Sequence, residues 1–328
     1  MLALKDKWIW DFWLARRNGL WHIFFLQAPN TLGDPELRHW NVSQGHAVSE
    51  DLVNWKYLGV CFGPSATESW DDYTTWTGSV VQNGKDDWHL FYTGTSKRER
   101  GLKQRIGHAT STDLHNWRRV GDGLALDLDP ELYEEFEEGR WHDRAMRDPW
   151  VMRDPEGEGW LMFFTARVAG HAESNEGGAI GLAESSDLEN WTICEPIFTG
   201  SFGQLEVPQV FSLRGKWYCL FCTHSYDWAQ TYRRSYGAPS VTGTHYLIGD
   251  SCRGPWKLAG GKFLDGQEPA KRYAGKVVQR GGKLYFLGFL DRNVEGGFVG
   301  AVSDPIPVEC DEEGRLELVR ATEIVAGN

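Results

Sequence analysis

One segment returns three times along this chain with its key positions intact: Gly45-His-Ala-Val-Ser-Glu-Asp-Leu-Val-Asn-Trp55, Gly107-His-Ala-Thr-Ser-Thr-Asp-Leu-His-Asn-Trp117 and Gly181-Leu-Ala-Glu-Ser-Ser-Asp-Leu-Glu-Asn-Trp191. The shared pattern is G-x-A-x-S-x-D-L-x-N-W, and internal repetition of this kind restricts the available folds more than composition does. It reads as a strand, a turn whose Ser and Asp side chains cap nearby backbone, and a Trp that pins the next strand. Its polar residues are therefore assigned to structure rather than chemistry.

A second element recurs ahead of each copy and twice more: Trp21-His-Ile-Phe-Phe, Trp88-His-Leu-Phe-Tyr, Trp160-Leu-Met-Phe-Phe, Trp217-Tyr-Cys-Leu-Phe and Leu284-Tyr-Phe-Leu-Gly. Each is aromatic and almost continuously apolar, as a strand buried between sheets should be. Asn18-Gly19, Asn83-Gly84, Arg214-Gly215 and Gly281-Gly282 precede four of them and predict hairpins. Five sheets of about four strands, set radially with short protected edges, make a five-bladed β-propeller. The expectation is an all-β fold, one domain over residues 1–328. One helix is expected, over the acidic insertion Asp129-Pro-Glu-Leu-Tyr-Glu-Glu-Phe-Glu-Glu138.

Composition narrows the function. Hydrophobic residues make up 41% of the chain, enough for a sizeable core, and the formal net charge of −12 argues against a nucleic-acid partner. No apolar run reaches membrane-spanning length, and the N-terminus lacks the pattern of a secretory leader. Cys61, Cys194, Cys219, Cys222, Cys252 and Cys310 show neither disulfide-framework nor metal spacing, and Cys219 and Cys222 sit in an apolar strand as buried thiols. A reduced, cytoplasmic protein is expected. The 17 Trp residues are read mainly as packing, with some left over as sugar-stacking platforms.

If the aromatic strand is second in each blade, the innermost strand lies one hairpin earlier. Counting back gives Asp11, Trp76, Asp148, Glu206 and Tyr273, five positions expected to converge at one end of the central channel. Carboxylates in apolar strands are costly unless paired, hydrogen-bonded or protonated, so three of them at matched positions indicate a functional cluster. A metal site and glycosidic-bond chemistry both use such a cluster. No calcium-loop pattern appears, and the accompanying Trp and Tyr favour a sugar ring; no metal or cofactor is expected.

At these residues the chain resembles glycoside hydrolase family 32, with a likeness to family 68. His39-Trp40 followed by Gly45 through Leu58 is similar to the family 32 stretch HWGHATSxDLVHWxxL. Trp76-Thr-Gly-Ser79 with Leu90-Phe-Tyr-Thr-Gly94 resembles SGS…LFYTG. Arg147-Asp148-Pro149 matches RDP, and Glu206-Val207-Pro208 is similar to ECP. Tyr246-Leu-Ile-Gly249, Tyr273-Ala274 and Ile306-Pro307 with Gly314-Arg-Leu316 follow in the family's order. Two departures stand out. Trp10-Asp-Phe-Trp13 is closer to the WDSW of family 68 than to the Asn-Asp-Pro-Asn opening of family 32, and the chain stops where family 32 usually continues into a β-sandwich.

The resemblance implies a retaining enzyme acting on a fructose-containing oligosaccharide or disaccharide. Asp11 would be the nucleophile, Glu206 the acid/base with a raised pKa, and Asp148 an ionised carboxylate held by Arg147 or backbone donors that grips sugar hydroxyls. It places Trp40 and Trp76 as pocket walls, Ser79 and Gln27 as hydroxyl partners and Tyr273 as a contact from the last blade. His39 and His46 are expected to stabilise loops, and His224 is open between the two roles. The Asp11–Glu206 separation expected of a retaining pair is about 5–5.5 Å, against about 6.5–9.5 Å for an inverting arabinanase or xylosidase-type propeller. A sugar-binding propeller without catalysis is the rival from another class. Without a β-sandwich, the outer face is free to be buried in a homodimer.

Overall fold

The computed structural model describes residues 1–319 and contains five antiparallel sheets. Blade 1 is β1 (Lys7–Arg17), β2 (Leu20–Pro29), β3 (Ser43–Ser49) and β4 (Lys56–Phe62), and blade 2 is β5 (Thr74–Gln82), β6 (Trp88–Thr95), β7 (Arg105–Ser111) and β8 (Arg118–Leu126). Blade 3 is β9 (Met146–Arg153), β10 (Trp160–Arg167), β11 (Gly178–Ser185) and β12 (Thr192–Thr199). Blade 4 is β13 (Glu206–Leu213), β14 (Lys216–Thr223), β15 (Thr242–Gly249) and β16 (Trp256–Leu258), with β17 (Asp265–Gln267) also pairing β15. Blade 5 is β18 (Arg272–Arg280), β19 (Lys283–Arg292), β21 (Ile306–Cys310) and β22 (Leu316–Leu318), with β20 (Phe298–Val302) on β19.

The aromatic segments are the second strands, β2, β6, β10, β14 and β19. β6 and β10 are buried along their whole length, because a second strand is covered by the neighbouring blade on each face. Asn18-Gly19 and Arg214-Gly215 close two-residue hairpins with both residues at positive φ, the geometry that matches the twist of the flanking strands. The innermost strands β1, β5, β9, β13 and β18 touch in succession, and β18 and β20 return to β1.

The repeated turn is built as its sequence suggests. In the first copy Ser49 Oγ accepts from the amides of Asp51 and Leu52, Asp51 Oδ1 accepts from those of Val53 and Asn54, and Trp55 Nε1 donates to Leu52 O. The Ser and Asp bonds recur at Ser111/Asp113 and Ser185/Asp187. The Leu of each copy is fully buried in the left-handed region, at φ 64, 68 and 69.

The acidic insertion forms turns, not a helix. Asp129 starts one turn, its side chain accepting from the Glu131 amide and its carbonyl from those of Leu132 and Tyr133, but the amide after these is recruited elsewhere: Glu134 N donates to Arg167 O. The glutamates that follow are drawn to cations outside the segment, Glu134 to Arg167 (3.4 Å) and Glu135 to Lys103 (3.1 Å) and Arg144 (3.4 Å), which gives a helix no second turn. The α-helix among the described residues is instead Gln230–Tyr236, in the loop after β14. All six cysteines are free, and burial pushes the Cys219 and Cys222 thiols up to about 12.

Candidate active site

Each innermost strand carries a β-bulge at the same height. Opposite one residue of the second strand lie Trp10 and Asp11 in β1, Asp148 and Pro149 in β9, Val207 and Pro208 in β13, and Ala274 and Gly275 in β18; β5 has a single extra residue, Thr77. Asp148, Val207 and Ala274 have positive φ (57, 55 and 47). Such bulges re-aim side chains and recur beside active sites. In blade 2 the bend needs Gly78, where a Cβ would fall 2.1 Å from Phe91 O.

Strand pairing corrects the alignment of blades made from sequence. Trp13, Ser79, Trp150, Gln209 and Lys276 pair with equivalent residues of the second strands, namely Phe24, Phe91, Phe163, Leu220 and Leu287. Two residues earlier stand Asp11, Thr77, Asp148, Val207 and Ala274, and one earlier again Trp10, Trp76, Arg147, Glu206 and Tyr273. Asp11 and Asp148 thus share one layer, and Glu206, Trp76 and Tyr273 occupy the next. Counting along the sequence put Trp76, Glu206 and Tyr273 one residue too early, because only the pairing partner on the second strand fixes which layer an innermost residue occupies.

Both layers face a cavity of about 710 Å³, which also takes in loop residues His39, Trp40, Asp143 and His224. Asp11 accepts a hydrogen bond from Thr77 Oγ1. Asp148 is almost fully buried, its Oδ2 accepting from Thr165 Oγ1 (3.0 Å) and Val207 N (3.2 Å), with Arg147 Nε at 3.6 Å. Glu206 accepts from Arg147 Nη2 at 2.8 Å and from the Tyr273 hydroxyl at 2.5 Å, and His224 Nε2 lies 4.0 Å away.

The charge states differ from those expected. Burial pushes Glu206 up, but the Arg147 guanidinium, the His224 charge and the Tyr273 hydroxyl outweigh it and hold the carboxyl below its ordinary value. Burial raises Asp11, helped by the Glu206 charge, and takes Asp148 up to about 7 against the pull of Arg147. The free site thus favours a proton on the aspartates, Asp148 above all, over one on Glu206. Behind them Lys276, also buried, donates to Val207 O (2.8 Å) and Pro208 O (3.2 Å), and burial lowers it to about 8.

Trp40, Trp76, Arg147 and Tyr273 all line the cavity. Trp40 is 40% exposed and stacks on Tyr73, while Trp76 is pinned by its Nε1 donating to His39 O at 2.8 Å. Gln27 and Ser79 do not reach it. Strand alternation turns Leu26 to the cavity and Gln27 away, where it accepts from Tyr57 and donates to Ser43. Ser79 accepts the Val151 amide and links blade 2 to blade 3. His46 also lies elsewhere, in a column with His22 and His115. Sequence reasoning missed Thr77, Asp143, Gln104 and Gln204. For Thr77 the signal was present, one residue beyond Trp76 in the innermost strand.

The family model described as glycosyl hydrolases family 32 N-terminal domain matches residues 7–291. Over 204 residues the chain is 30% identical to a probable sucrose-6-phosphate hydrolase of Psychromonas ingrahamii, covering 60% of this chain and 32% of that protein. Over 254 residues it is 26% identical to the levanbiose-producing levanase of Bacillus subtilis, covering 73% and 42%. The chain thus matches less than half the length of these relatives. An inulosucrase from Halalkalicoccus jeotgali, solved bound to kestose, superposes with a TM-score of 0.78 at 22% identity, over 97% of this chain and 90% of that one. A levansucrase from Gluconacetobacter diazotrophicus does so with a TM-score of 0.75 at 19% identity, over 97% and 81%. At these identities the structural likeness is one of fold.

Proposed function

We propose, from the premise that this chain belongs to the glycosyl hydrolase family 32 N-terminal domain family, that it is a retaining enzyme acting on a fructose-containing saccharide. The observation that carries this reading is the convergence of Asp11 and Glu206, from blades 1 and 4, on one aromatic-walled cavity with Asp148 alongside. The Asp11 carboxylate attacks the anomeric carbon of a fructosyl unit, forming a covalent intermediate as Glu206 protonates the departing oxygen. Glu206 then deprotonates water or an acceptor hydroxyl, which displaces Asp11 with net retention.

This sequence of steps needs a proton on Glu206, whereas the Arg147 charge and the Tyr273 hydroxyl favour its ionised form in the free site. Hydroxyls of a bound sugar, donating to Asp11 and Asp148, stabilise the charged forms of both and so pass the shared proton to Glu206. The cavity volume accommodates more than one sugar ring, in keeping with a disaccharide or oligosaccharide.

Product analysis on sucrose, inulin, levan and difructose anhydrides tests the reading. Asp11→Ala should abolish turnover while sparing the fold, and Glu206→Gln should lower it by about 10²–10⁴-fold. Undiminished activity of Asp11→Ala on every substrate overturns the assignment. An inverted anomer released first would support the single-displacement alternative, and binding without turnover a sugar-binding role.

A further inference from the structure

Arg147, the cation against Glu206, is held from both sides by amides. Its Nη1 donates to Gln104 Oε1 at 3.3 Å, from the residue just before blade 2's third strand, and its Nη2 to Gln204 Oε1 at 2.6 Å, from the loop entering blade 4. Each amide nitrogen is in turn bound by a carboxylate: Gln104 Nε2 donates to Asp143 Oδ2 (2.7 Å) and Gln204 Nε2 to Asp227 Oδ2 (2.9 Å). Both glutamines are buried, at 2% and 6% exposure. A guanidinium only donates and a carboxylate only accepts, so an amide bridging the two has one permitted orientation. The same arrangement stands on both sides of Arg147.

We propose that Gln104 and Gln204 are positioning residues that hold the Arg147 guanidinium in register with Glu206, and that their amide polarity, set by Asp143 and Asp227, governs how strongly that charge acts on the acid. The inference rests on reading Glu206 as the acid/base. Arg147 faces Asp148 on its own strand, Asp143 in the preceding loop (3.8 Å) and Glu206 on β13. Glu206 faces Tyr273 on β18 and His224 after β14, and feels the charge of Asp11 on β1. With either glutamine gone, a buried guanidinium N–H loses its acceptor and Arg147 is free to turn away from Glu206.

An acid–amide exchange tests this. Gln204→Glu alone sets two carboxylates against each other, and Asp227→Asn alone sets two amides; each should lower kcat/KM about tenfold or more. The double variant restores one donor and one acceptor at every contact with unchanged net charge, and should recover most of the activity. The carboxylate it introduces at position 204 competes with Glu206 for Arg147, so the alkaline limb of its pH–rate profile should lie about one unit higher. Stability that falls and recovers while that limb stays fixed would mean a purely structural role and overturn the proposal. A carboxyl NMR titration of Glu206 in Gln104→Leu and Gln204→Leu separates this from failure of the functional reading. An upward shift supports the clamp even in a protein that turns over no sugar, and an unchanged titration refutes it even in an active enzyme.

Discussion

The Tyr273 hydroxyl and the Lys276 ammonium act on the carboxylates in ways that fix the sign of two variants. Tyr273→Phe removes a donor that lowers Glu206. Its pKa should rise, moving the alkaline limb of kcat upward by about one unit; a limb that moves down or stays excludes Tyr273 as a tuner of the acid. The Lys276 charge lowers Asp11, which must be ionised to attack. Lys276→Met should shift the acid limb of kcat/KM upward, read from the same profiles, while leaving two backbone carbonyls without their partner. Asp11, Asp148 and Glu206 were legible in the chain because a carboxylate in an apolar strand is conspicuous. Gln104 and Gln204 were not: an isolated Gln carries no signal, and their role arises only where two blades bring them to one guanidinium.

The repeated turn was readable because its bonds are local, joining residues two or three apart. Ser111 Oγ accepts from the amides of Asp113 and Leu114, so Ser111→Ala should cost about 1–2 kcal/mol in a urea titration. The histidines inside the same strands follow a different logic. His22 Nδ1 meets His46 Nε2 at 2.9 Å, His46 Nδ1 meets His115 Nδ1 at 3.1 Å, and His89 pairs with His108 at 2.8 Å in the next blade. Burial takes His22 down to about 4 and His46 and His108 to about 3, against 6.5 for a free imidazole. The folded state therefore keeps them neutral while the unfolded chain takes up protons. The stability they contribute is complete above pH 6.5 and declines as pH falls towards 4. Urea midpoints across that window should drop with acid, and His46→Gln should flatten the slope. Blade 3 carries Leu161 and Leu182 at the places of His22 and His46 in the repeat, which marks the columns as features of two blades rather than of the repeat.

The ring closes through the chain's first residues: Leu2 and Val302 exchange backbone hydrogen bonds at 3.0 and 2.8 Å, and the Leu2 side chain is buried. Leu2→Ala should cost about 2 kcal/mol of global stability by denaturant titration, and a negligible loss would show that blades 1 and 5 hold without this bridge. Five blades, their aromatic second strands and the triplicated turn were all determined by the sequence alone, because each depends on periodicity and short-range bonding that recur in every copy. The carboxylates' convergence on one end of the channel followed from the same repetition. What only the tertiary structure decided is how they are offset and charged. Glu206 stands just before its strand's bulge whereas Asp11 and Asp148 sit within theirs, which sets it one layer away, and side chains from three different blades hold Glu206 low while burial raises the aspartates. Those are long-range contacts between blades, and no local pattern in the chain encodes the distances at which they meet.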